Sequence, residues 1–178
     1  AIPNRKLPFV GDGPEARTNA LIAALMFFFS LVVYSICVTP TVPFWDSGEF
    51  MSVSHILGIP HPPGTPLYVL IGRIFSLVPF GTIAQRINWL SCFGSAWTVL
   101  FTYLITVRLI KRNFLSEPGQ PIWLAWVGGV VAAMFTAWCP TFWENAIEAE
   151  VYSWASGIMC ACVWLALKWW DELGRPNH

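Results

Sequence analysis

Long charge-free apolar runs alternate along the chain with stretches rich in proline, glycine and acid. Residues 1–19 are polar and carry Pro3, Pro8, Gly11, Gly13 and Pro14, the composition of an irregular arm. Ala20 to Thr39 holds no charge. As a helix rising 1.5 Å per residue it measures about 30 Å, the thickness of the hydrocarbon core. Pro40 and Pro43 stop it. Further runs cover about 87–107, closed by Arg108, Lys111 and Arg112; about 122–138, closed by Pro140; and about 151–170, followed by a polar tail at 171–178. The segment between the first two runs reads differently. Pro43, Pro60, Pro62, Pro63 and Pro66 exclude a long helix, leaving room for a short amphipathic turn from Ser47 to Leu57. Residues 67–80 are apolar but too few to cross a bilayer, and Arg73 interrupts them, so an in-plane or re-entrant helix is expected. The pattern predicts an all-α membrane protein. It has about four transmembrane helices, plus an interfacial or re-entrant helix in the first non-cytoplasmic loop.

Composition strengthens that reading. Hydrophobic residues make up 56% of the chain and charged ones 11%, against about 25% charged in soluble domains. So little polar surface cannot keep a globule in water, and lipid becomes the solvent and first partner. The 11 Trp and 13 Phe suit rings placed at headgroup level. A net charge of zero, with no aromatic-basic stripe, excludes nucleic acid as a partner. The first apolar run is too long for the core of a cleavable signal peptide. Cys37, Cys92, Cys139, Cys160 and Cys162 all lie in or beside apolar runs and read as small packing residues rather than a disulfide or zinc framework.

Charge also orients the runs. With four alternating spans, eight of the ten basic residues fall on one side: Arg5, Lys6, Arg17, Arg108, Lys111, Arg112, Lys168 and Arg175. The positive-inside rule makes that side cytoplasmic, with both termini there. The opposite side receives Asp46, Glu49, Glu144, Glu148 and Glu150.

Four places could carry chemistry. In Phe44-Trp45-Asp46-Ser47-Gly48-Glu49-Phe50 two carboxylates three residues apart would share a helix face at the membrane edge. A partly desolvated acid there can act as a base near neutral pH. The same residues also suit a helix cap, Asp46 or Ser47 capping and Glu49 in the first turn. His61-Pro62-Pro63-Gly64-Thr65-Pro66 fixes an extended path that either presents His61 in a binding loop or simply turns the chain. Arg73 and Arg86 are the basic residues on the acidic side; a guanidinium there could clamp a phosphate, or snorkel, or pair with an acid. Glu144 and Glu148 would align on a helix face with Glu150 pointing elsewhere; acids bordering a span pair, face a wet cavity or stay solvated. No metal ligands are assigned and no cofactor is expected, although two acids beside a phosphate could hold a divalent cation.

The runs Pro43 to Phe50, Gly58 to Leu67, Arg86-Ile87-Asn88, Glu148-Ala149-Glu150-Val151-Tyr152 and Trp164 to Trp169 together resemble a widespread family of bacterial polytopic membrane proteins. That family, long catalogued as a domain of unknown function, is related to a eukaryotic transmembrane protein O-mannosyltransferase. The resemblance covers residues 20–170. It implies a C-type glycosyltransferase fold that passes a sugar from a polyprenyl-phosphate donor to an acceptor outside the cytoplasm. It further implies Asp46 as catalytic base, with Glu49 assisting. His61, Arg73, Arg86, Glu148 and Glu150 are the expected substrate-binding residues, the arginines assigned to the donor phosphate by their chemistry. Family members are several times longer, so the chain is expected to be the N-terminal part of such an enzyme, or a shortened relative, in the bacterial inner membrane. The alternative is a non-catalytic structural subunit docked on other membrane proteins, as in a respiratory or photosynthetic complex. A transporter is weaker, since no inverted repeat is visible.

Overall fold

The computed structural model describes residues 14–115 and 119–173, with Glu172 described in its backbone alone. Of the arm, residues 1–13 lie outside it, as do 116–118 and the tail from 174, and with them Arg5, Lys6 and Arg175. Among the described residues every regular element is helical: α1 Pro14–Cys37, α2 Ser47–Ile56, α3 Pro66–Ser76, α4 Ile83–Phe114, α5 Trp123–Trp138, α6 Pro140–Ile147 and α7 Val151–Leu173. Three of them, α1, α4 and α7, are long and apolar enough to cross a membrane, and α5 with α6 makes a fourth if that bent pair counts as one span. The protein is therefore an all-α membrane protein.

α4 is the axis, and each of the other helices packs against it. Thr82 caps its start, the side-chain oxygen accepting from the Gln85 N–H at 3.2 Å. Its contact faces carry small residues, Ser91, Gly94, Ser95, Ala96 and Thr98, all buried. Lipid offers no hydrophobic reward for bringing two helices together, so close backbone approach must supply the attraction. At the crossing with α7, a Cβ on Gly94 would lie 2.9 Å from backbone atoms of Ser153 and Trp154, and one on Gly157 would lie 3.0 Å from the Gly94 carbonyl.

α1 has the inverse of a soluble amphipathic pattern. It buries Ala23, Ser30 and Tyr34 and exposes Leu21, Leu25, Phe28, Phe29, Val32 and Ile36. The small and polar face meets protein, and the bulky apolar face meets lipid. The Tyr34 hydroxyl donates to the Ala137 carbonyl at 3.0 Å, and the Tyr103 hydroxyl to Asn19 Oδ1 at 3.0 Å, so both buried phenols are satisfied.

Four elements depart from the expected boundaries: α1 begins at Pro14, within residues 1–19 expected to be irregular, and α4 covers Ile83–Phe114 in place of about 87–107, while α6 and α3 differ as follows. The acidic segment after Pro140 is helical, forming α6, and turns from α5 by 67°. A proline lacks the N–H that would continue α5, yet its fixed φ suits the first turn of a new helix. α5 alone has 16 residues, so the third run spans only together with α6. α6 ends at Ile147, and Glu148 is extended (φ −125°, ψ 160°), so Glu144 and Glu148 do not lie on a common helix. α3 has 11 residues in place of the fourteen-residue run 67–80. It exposes Leu67, Leu70 and Ile74 while burying Tyr68, Val69 and Gly72, as a helix lying in the interface does.

The starts of α1 and the ends of α4 and α7 gather at one pole. Asp171 accepts from Arg108 (3.1 Å) and Arg112 (3.3 Å), and Lys111 lies 4.0 Å from Glu15. The loops carrying Asp46, Glu49, His61 and Glu150 form the other pole. If the glycine crossing holds α4 to α7, Gly94→Ala should destabilise the protein by about 1–3 kcal/mol through overpacking. This would be read as a lowered Tm of the detergent-solubilised protein; an unchanged Tm would mean that the two helices shift apart at no cost.

Candidate functional site

The acidic pole is built from the loop after α1. Buried Asn88 on α4 donates from Nδ2 to the Thr39 carbonyl at 2.6 Å and to that of Thr41 at 3.0 Å, and the Thr39 N–H donates to Ile147 at 3.0 Å. This fixes the chain on both sides of Pro40. Trp45 then adopts φ 63°, a left-handed conformation rare for a bulky residue and costing about 1–3 kcal/mol. The turn delivers Asp46 to the N-cap of α2. Its carbonyl accepts from Phe50 N–H at 3.0 Å, but its carboxylate makes no capping bond. Asp46 thus occupies the cap through its backbone and leaves its side chain exposed and free.

Glu49, one turn on, is taken by His61. The His61 backbone N–H donates to Oε1 at 2.7 Å, and ring Nδ1 lies 2.7 Å from Oε2. The His61 ring also packs on Phe50, 5.7 Å between centroids, and Phe50 on Tyr68. The His-Pro-Pro loop is therefore clamped against α2 by a two-point bond. Asp46, Glu49 and His61 each bring a ligand-type atom within 4.8 Å of the others. Two carboxylates and an imidazole could hold a divalent cation, with the Glu49–His61 bond opening to admit it.

Glu150 completes the pole from the other side. It immediately precedes α7, and its backbone is stapled: its N–H donates to Ser91 Oγ at 3.0 Å, and its carbonyl accepts from Ser91 at 3.3 Å and Ser153 at 2.8 Å. Burial lifts its carboxyl above the ordinary range, and the nearby charges of Asp46 and Glu148 add to that. Glu148 is raised as well, by burial and then by Glu144. The Tyr68 hydroxyl lies buried near Ser91 and Glu150, outside hydrogen-bond geometry with any described residue.

The structure brings Asp46, Glu49, His61 and Glu150 into one electrostatic group, with Glu148 at its edge. It does not join the arginines to that group. Arg73 donates to the His55 carbonyl at the last turn of α2 and lies 3.4 Å from His55 Nδ1. Arg86 donates to the carbonyls of Phe80, Ser76 (2.8 Å) and Gly81 (2.9 Å), so its fork ties the α3–α4 turn. Sequence reasoning missed Asn88 and Ser91 as the residues that position the pole. A polar side chain within an apolar span was the available signal for both.

The Glu49–His61 pair has a defined pH window. The hydrogen bond to Glu49 raises the His61 pKa above its ordinary 6.5, with help from Asp46 and Glu150, and His61 lowers that of Glu49 below 4.5. The histidine's contribution is complete below 6.5 and fades as pH climbs through its raised value. That of the glutamate is complete above 4.5 and fades as pH falls through its lowered one. An NMR titration of His61 should therefore give a midpoint above 6.5, moving down in Glu49→Gln. A midpoint indifferent to that change would contradict the pair.

Comparison with known proteins identifies relatives of the chain. The family model described as the protein O-mannosyl-transferase TMEM260 N-terminal domain matches residues 46–178. The chain is 33% identical over 149 residues to the mouse protein O-mannosyl-transferase TMEM260, covering 82% of this chain and 19% of the mouse protein. It is also 33% identical over 140 residues to the Dictyostelium discoideum protein of the same name, covering 77% of this chain and 16% of that relative. The chain thus spans less than a fifth of the length of these relatives. No solved structure matches it. By the extent of these matches, the chain belongs to the family of the protein O-mannosyl-transferase TMEM260 N-terminal domain.

Proposed function

We propose that this chain carries the catalytic base of a membrane glycosyltransferase, which moves a sugar, mannose by analogy with the relatives' names, from a polyprenyl-phosphate donor to an acceptor hydroxyl on the non-cytoplasmic side. The observation that carries the reading is the Asp46 carboxylate. It is exposed at the head of α2 and uncommitted among the described residues, next to a histidine whose protonated form a glutamate favours.

In this reading Asp46 takes the proton of the acceptor hydroxyl as its oxygen attacks the anomeric carbon. The new bond from the acceptor oxygen to the anomeric carbon forms on the face opposite the leaving phosphate, and the bond from that carbon to the phosphate oxygen breaks. Polyprenyl phosphate leaves with the electron pair, and the configuration inverts. Glu49 holds His61 through Nδ1 and favours its protonated form, leaving the far ring nitrogen to face the phosphate. That assigns compensation of the leaving charge to His61. Arg73 and Arg86 serve the same end by building the α2–α3–α4 platform, since their guanidinium groups are bonded to backbone carbonyls.

We place the protein in a bacterial inner membrane with both termini inside, because the pole of α1, α4 and α7 that carries Arg17, Arg108, Lys111, Arg112 and Lys168 is the basic one. The family relation gives no support to the alternative, a structural subunit of a respiratory or photosynthetic assembly.

Asp46→Asn should reduce sugar transfer roughly 10²–10⁴-fold, the usual worth of a general base, with expression and Tm unchanged. Activity within a few-fold of wild type would remove the assignment. For sidedness, single cysteines at exposed Ser52 and Thr141, introduced after replacing the five native thiols, should react with an impermeant maleimide from outside the inner membrane. Labelling from the cytoplasmic face alone would invert the topology.

A further inference from the structure

A cavity of about 460 Å³ lies where the α5–α6 elbow meets the start of α7, within the 300–1,000 Å³ range usual for small-molecule sites. Its surface is largely apolar, with Cys139 and Phe142 among its walls, and Thr141, Asn145, Glu150, Tyr152, Ser153 and Ser156 place polar groups in it. Four of these offer hydroxyls, one an amide and one a carboxylate. No basic residue lines it.

That chemistry selects among ligands. The Asn145 amide nitrogen is already used on the Thr141 carbonyl at 2.7 Å, which leaves its oxygen as an acceptor. Ser153 is likewise spent on the Glu150 carbonyl. With Glu150 added, the uncommitted groups are chiefly acceptors and hydroxyls that both donate and accept. A phosphate would meet Glu150 with Asp46 and Glu148 near it, and the repulsion would exclude it. A neutral ring bearing many hydroxyls has donors for each of these acceptors and no charge to repel.

We propose that this cavity binds the sugar ring of the lipid-linked donor, with the carboxylate of Glu150, carried on a stapled backbone, accepting its hydroxyls beside Asp46 and His61. The assignment rests on the glycosyl-transfer reading above and deepens it. Glu150 is the element common to both places. It lines the cavity and acts electrostatically on the Asp46–His61 group. Its backbone, held by Ser91 and Ser153, fixes the point from which the side chain reaches the cavity. The sugar then sits in an open recess from which its anomeric carbon can face the base. The phosphate remains outside the acidic lining, on the His61 side. Sugar hydroxyls also restore to Glu150 the donors that burial takes from it.

The test uses the full-length protein containing this chain, in nanodiscs, with a short-chain prenyl-phosphate mannose as donor and prenyl phosphate as control. Glu150→Gln and Ser156→Trp, which fills the cavity, should each raise KM for the donor about tenfold or more and leave KM for the acceptor unchanged. A cysteine at Asn145 in a thiol-free background should be shielded from maleimide by prenyl-phosphate mannose and left open by prenyl phosphate. This readout requires no turnover and also stands if Ser156→Trp fails to fold. An unchanged donor KM with no shielding overturns the inference, and so does a raised acceptor KM or equal shielding by prenyl phosphate. Loss of turnover in Asp46→Asn alongside such a result would leave the transfer reading standing. Full turnover in Asp46→Asn, together with intact shielding, would instead sink the reading and keep the cavity as a sugar site.

Discussion

Where the chain leaves the bilayer after α1, Pro40 prevents the helix from continuing and its carbonyls lose their partners. In a medium without water each such group must be satisfied by the protein. Asn88 does this with a single amide that reaches the carbonyls of both Thr39 and Thr41. The rest of the acidic pole is hung from that fork. Trp45 can be held in a strained turn because the chain on its N-terminal side is fixed, and Asp46 stands free because its helix is capped through backbone. Placing this amide on α4, the most buried of the long apolar helices, makes the position of Asp46 a property of the core and not of the loop.

The same economy governs the second acid. Glu150 sits at the start of α7, whose distance from α4 is set by the absence of side chains at Gly94 and Gly157. Ser91, one turn before Gly94, can then bond the Glu150 backbone from both directions. Helix packing, polar satisfaction and placement of a titratable group are one arrangement seen at three scales. The two poles differ: ion pairs and cation–aromatic contacts tie the basic end, as where Arg108 lies 5.7 Å from the Trp164 ring, while at the acidic end Glu49 pairs with His61 and Asp46 has no ion-pair partner among the described residues.

Much of the fold was legible because the solvent is simple. Charge-free runs, closing prolines and the clustering of Lys and Arg are read by lipid almost residue by residue, and α1, α4 and α7 follow them. The short helix at Ser47 could also be read, since an acid-rich turn at the interface has few alternatives. Pro140 was misleading because a proline both ends one helix and starts the next, and only the packing of α6 against α4 decides which. Asp46, Glu49, His61 and Glu150 each stand out along the sequence, but the contacts that gather them do not. Glu49 and His61 are 12 residues apart, and nothing in either motif says that the histidine loop folds back onto the helix. Arg86 looked like a free cation because sequence shows a charge but hides the carbonyls of the turn that claim it.

One buried phenol carries a consequence for how this architecture can vary. Tyr34 sits edge-on to Trp143, 5.4 Å between ring centroids, and would pass for packing material. Its oxygen, however, reaches the Ala137 carbonyl just above the elbow, where the peptide that would have capped it has been lost to Pro140. Phenylalanine would preserve the volume and strand that oxygen in a dry environment, whereas a straight α5 would supply its own partner and make the hydroxyl surplus. The bend and the phenol are thus a matched pair, and drift at either position is constrained by the state of the other.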